Sequence, residues 1–190
     1  MSNVDTGEAG VEAKSRLNCL SQMTSMLSKS VDRGWRWPLV VTAVLLAAVC
    51  VPAKSALLPD DERQALIAVV LKNFWGQAKL SDGRFAQPAS EEERHTVPIT
   101  NAVVHRALDA GEVSGLAEWC KLDWQSHYRA LTRAARTACL SDKQVAFVSI
   151  LHGAAQGRIA SAMATTGACS HHYRRTVEPI LKESTVKGIR

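Results

Sequence analysis

The side chains with the most chemical potential in this 190-residue chain are its cysteines and histidines. Cys169-Ser170-His171-His172 sets a thiol beside two imidazoles, donors that zinc and copper accept. Neighbouring residues on a helix point about 100° apart, so His171 and His172 do not readily share one ion, and a disulfide at Cys169 would consume the thiol. An envelope metal-binding protein using His171 and His172 is therefore an alternative reading, and neither metal nor cofactor is expected. His152 falls within an apolar stripe, and His127 and Tyr128 follow Trp124 closely, so both histidines read first as hydrogen-bonded packing groups. Gly-x-Ser-x-Gly, His-Glu-x-x-His, a glycine-rich phosphate loop and Cys-x-x-Cys are all absent. A Cys139 nucleophile would need a base within reach and a cleft, which leaves a small hydrolase as a second alternative rather than the expectation.

Spacing also constrains the disulfides. Cys120 and Cys139 flank a helix of about 24 Å and Cys139 and Cys169 one of about 36 Å, whereas bridged Cα atoms lie within about 7 Å. Cys120–Cys169 is the pairing left, provided that two helices fold back as a hairpin. Cys139 is then expected as a free thiol, either buried among apolar groups or meeting a second molecule.

Helices are needed to position these groups. Asp60, Asp61 and Glu62 suit a helix start, and Ile67, Val70, Leu71 and Phe74 give it an apolar face ending before Gly76. Residues 77–96 read as a mobile loop with a Ser81-Asp82-Gly83 turn and a Glu91-Glu92-Glu93-Arg94 charge run. Helical pattern resumes near Asn101 and is expected to stop at Gly111, with a break through Gly115 and a short apolar turn at Leu116, Trp119 and Cys120. Asp123 caps a helix whose core side carries Trp124, Tyr128, Leu131, Ala135 and Ala138; Arg129, Arg133 and Arg136 form a basic stripe opposite. Ser141 and Gln144 form a capping box opening a long helix to about Thr166. That helix is apolar on two sides, so it is expected at the centre, with Gly153 and Gly157 admitting a close neighbour. Ser170 caps a last helix, with Pro179 an expected interruption and 183–190 frayed. The fold class is thus all-α: a small bundle of about five helices around a buried central one, preceded by a signal peptide.

That leader is the uncharged run Pro38 to Val51, with Lys29, Arg33 and Arg36 upstream and Val51-Pro52-Ala53 at signal-peptidase spacing. It is shorter than the roughly 20 residues of a spanning helix. Residues 1–25 are expected to be a dispensable or misassigned extension before a start at Met26, 26–53 the signal peptide or, alternatively, an inner-membrane anchor, and 54–190 one exported domain. Apolar content of 46% excludes a mainly disordered chain, and a charge of +5, mostly after position 53, is too mild to point to nucleic acid. The expected function is a periplasmic or secreted protein that binds another protein of the cell envelope, of immunity, inhibitor or chaperone-like type. Membrane contact is expected only with an uncleaved leader, and the arginine stripe is the expected docking strip.

Overall fold

Three carboxylates at the positive end of a helix dipole open the first described helix. A computed structural model describes residues 57–189, and helix α1 (Asp60–Phe74) opens on Asp60, Asp61 and Glu62. It buries Val70 and Phe74, and Gly76 ends it with a φ of 79° that glycine adopts without strain. The leader, the Met26 start and the divisions at 25 and 53 lie outside the described residues.

The segment expected as a mobile loop is built otherwise. Lys79 and Phe85 pair across a turn, held by Ala86 N–H to Ala78 O and Leu80 N–H to Arg84 O, both at 2.8 Å. Ala78 and Ala86 are buried in the core. The charge run forms a single-turn helix α2 (Glu91–His95), capped by Ser90 and tied to the core helices by Lys143–Glu93 at 3.3 Å. The polar composition hid two alanines small enough to pack.

A second departure concerns helix α3 (Asn101–Trp119), which runs uninterrupted through Gly111 and Gly115. The expectation of a break there fails because packing outweighs intrinsic propensity. Both glycines face helix α5 (Asp142–Ala164): a Cβ on Gly111 would lie 2.4 Å from the His152 carbonyl oxygen, and one on Gly115 2.7 Å from that of Gln156. The close approach expected at Gly153 and Gly157 is not there; both are exposed and nothing lies within 4 Å of a Cβ at either. α5 therefore buries one side, through Val145, Phe147, Val148, Leu151, Ala155 and Ile159, and does not have neighbours on both. Its Ser141–Gln144 capping box is complete.

α3 packs along α5 and also meets helix α4 (Trp124–Thr137) and helix α6 (His171–Lys187), while α1 covers part of α5. Asp123 caps α4 through Ser126 N–H, as its sequence implies. α6 starts at the Ser170 cap and continues past Pro179 to Gly188, with Ile189 buried in the core, so neither the interruption nor the frayed end is found. Burial of Val177, Leu181, Ser184 and Ile189 supplies the energy that Pro179 removes. The described residues are all-helical, with six helices where about five were expected, and none of them is long and apolar enough to cross a membrane.

Cys120 and Cys169 form a disulfide with Cα atoms 5.0 Å apart, joining the end of α3 to the entry of α6. A small second cluster forms around it from Ala117, Val177 and Leu181, with Trp119, Leu122 and Trp124 packed alongside. Cys139 departs from expectation. It occupies an exposed turn at φ 61° and is disulfide-bonded, so it is neither buried nor a free thiol.

Candidate functional site

Four side chains from four helices meet in a hydrogen-bonded row through the interior. Ser184 Oγ of α6 lies 2.9 Å from His127 Nε2 of α4; His127 Nδ1 lies 2.8 Å from Ser114 Oγ of α3; and Ser114 Oγ lies 2.9 Å from His152 Nε2 of α5. His127 and His152 are 2% and 1% exposed. In each case i,i+3 and i,i+4 spacing puts the polar residue on the buried stripe of its helix, beside Leu131 on α4 and Val148 and Ala155 on α5. A row of two hydroxyls and two neutral imidazoles has a donor and an acceptor at every link, so the groups satisfy one another without water. It can be protonated in either direction: in one, Ser184 donates to His127, His127 to Ser114 and Ser114 to His152; in the other every donor is reversed.

Neutral imidazoles are what this environment demands. Burial, aided by the charge of Arg106, pushes His127 down to about 4, and burial with the neighbouring His127 pushes His152 down to about 4. Both rings are uncharged at neutral pH.

The row ends at a surface cleft. Leu57, Arg106, Asp109, Glu112, Val113, Leu116, Ile180, Glu183, Ser184 and Lys187 surround a volume of about 320 Å³ between α3, α6 and the strand of chain before α1. Beneath it, Arg63 Nη2 sits 2.6 Å from Asp109 Oδ1 and 2.6 Å from Glu112 Oε1. The Glu112 contact is an ion pair through Oε1, which has no hydrogen-bond partner, while Oε2 accepts the Leu57 N–H at 2.7 Å. Burial pushes the Glu112 carboxyl up, against the Leu57 N–H and the Arg63 charge. Burial also works against the Arg63 charge, but Asp109 and Glu112 outweigh it and raise its pKa. Arg106 donates from Nη2 to Gly188 O at 2.8 Å, lies 3.8 Å from Asp109, and has a buried Nε–H with no partner.

The residues picked out in the sequence are placed as follows. His171 and His172 are exposed in the first turn of α6, and no group of three or more His, Cys, Asp or Glu suited to a metal exists among the described residues. Arg129, Arg133 and Arg136 are exposed on α4; Arg129 reaches only Ser126 Oγ, at 2.9 Å. His127 and His152 are hydrogen-bonded packing residues, and the structure joins them through Ser114 and Ser184, which sequence reasoning did not single out. One signal was present: Ser114 lies one helical turn beyond Gly111 and two beyond Ala107, on the buried side of α3 once that helix is continued through the glycines.

No protein-family model, curated protein or solved structure matches this chain.

Proposed function

We propose that residues 54–190 form an exported binding domain that docks an acidic protein of the cell envelope through the arginine face of α4. The observation that carries this is the distribution of ion pairs. Arg63, Arg84, Arg94, Arg106 and Arg158, on α1, α2, α3, α5 and the loop between, each meet a carboxylate. Arg133, Arg136, Arg174 and Arg175 have no carboxylate partner among the described residues, and they lie on α4 and near the start of α6. Three arginines at i, i+4 and i+7 repel one another along α4, and Arg174 and Arg175 stand at the positive end of a helix dipole. The dipole favours Arg136 in the last turn of α4, but the mutual repulsion of the three arginines and the placement of Arg174 and Arg175 are both relieved by an acidic surface laid across them. Guanidinium groups are also well matched to carboxylates in bidentate geometry.

Export is part of the reading. The apolar run at 38–51 supports a cleaved leader, and the Cys120–Cys169 bridge suits the oxidising periplasm or an extracellular location. An Arg129→Ala, Arg133→Ala, Arg136→Ala variant tests the docking face. Capture from envelope extract with the unaltered protein should retain an acidic protein that elutes as salt approaches about 1 M, where charges are screened within about 3 Å. The triple variant should retain little of it. Equal retention by the variant, or retention indifferent to salt, would overturn the proposal.

A further inference from the structure

We propose that Ser184 and His127 form a nucleophile–base pair at the α3–α6 cleft, able to transfer the acyl group of a short-chain carboxylic ester to Ser184 and then to water. This goes beyond binding at the arginine face and does not depend on it.

The geometry has the parts that acyl transfer requires. Ser184 lines the cleft and lies 2.9 Å from His127 Nε2, within the reach of proton transfer. Ser114 Oγ, 2.8 Å from Nδ1, accepts a hydrogen bond from the Nδ1–H and so leaves the lone pair of Nε2 to Ser184; Ser114 in turn donates to His152. A nucleophile held by a base, and a base held by a third group, is the arrangement that activates a serine on unrelated folds. Val113, Leu116 and Ile180 give the cleft an apolar wall for an acyl chain, and Arg106 also lines it, a positive charge that favours a developing oxyanion.

The step balances. Ser184 Oγ bonds to the carbonyl carbon as its proton passes to His127 Nε2, leaving a tetrahedral oxyanion. Collapse breaks the bond to the alcohol oxygen, which takes the proton from His127. Water, deprotonated by the same nitrogen, then attacks the acyl carbon, and as the bond to Ser184 Oγ breaks that oxygen takes the proton back from His127 and the acid is released. Burial and, after it, the Arg106 charge make the imidazolium less favourable, and the pair is accordingly a slow catalyst that stays in its reactive, neutral state in acid.

A fluorophosphonate probe tests this on the intact, disulfide-bonded protein, since Ser184 would displace fluoride and retain the phosphonyl group. One phosphonyl adduct is expected by mass, mapped to Ser184 and lost in Ser184→Ala. His127→Gln should slow labelling by at least about 100-fold. Because that variant could lose its fold, the pH profile of the unaltered protein is the second arm: the labelling rate should be level from pH 8 down to about 5 and fall only near 4. Absence of an adduct, an adduct elsewhere, undiminished labelling in a folded His127→Gln, or an acid limb near 6.5 would each overturn the proposal.

Discussion

His127 and His152 carry the pH dependence of this domain. In the unfolded chain an imidazole takes its proton near pH 6.5, and in the folded state only near 4. Between those values the unfolded state holds more protons, so stability falls as pH decreases through that window and is insensitive to these groups above it. Each histidine can account for up to about 3 kcal/mol by pH 4. Glu112, whose carboxyl is pushed up by burial, acts in the opposite sense. The urea midpoint should drop between pH 7 and 4.5, and the drop should shrink in a His152→Gln variant; a midpoint constant over that range would contradict the assignment. The Arg63–Glu112 pair makes a second residue-level case. Arg63→Ala leaves a carboxylate buried without its cation and should cost about 3–5 kcal/mol, while Arg63→Met with Glu112→Leu should cost much less than the two single changes combined. Denaturant titration of the four proteins of that cycle decides it.

Helix α3 illustrates how an element can be set by its neighbour. Gly111→Ala and Gly115→Ala would each press a methyl into α5, and although alanine gains up to about 1 kcal/mol in helix propensity, overpacking of about 1–3 kcal/mol should leave both variants destabilised. Gly153→Ala and Gly157→Ala meet open space and should stabilise by up to about 1 kcal/mol each. Opposite signs of melting shift in the two pairs are the expected result. The caps at Ser90, Thr100, Asp123, Ser141 and Ser170 are local chemistry, and three of them, with the helices they open, were readable from sequence alone. Which glycine pair receives a neighbour is a tertiary matter: both pairs have i,i+4 spacing, and only Gly111 and Gly115 have a partner helix against them. For the same reason the turn at 81–83 was legible while the burial of Ala78 and Ala86 was not. At the site, His127 and His152 were read as packing residues, but Ser184 is far from both in sequence, and only the fold brings the four side chains into one row.

Across the whole molecule the Cys120–Cys169 bridge closes a segment of 49 residues holding α4 and α5, and its two ends sit in a small cluster apart from the main core. Replacing both cysteines by serine should lower stability by about 2–4 kcal/mol, read from urea titration of non-reduced protein. The same view shows the arginines sorted by face: those on α1, α2, α3 and α5 meet carboxylates, and those on α4 and at the start of α6 do not. Docking through that face is the central claim, and a photoreactive residue placed at exposed Thr137, beside Arg133 and Arg136, tests it directly, with exposed Val69 on α1 as the comparison. Irradiation of cells should crosslink an envelope protein from position 137 and none from 69; crosslinks from position 69 with none from 137 would contradict the account.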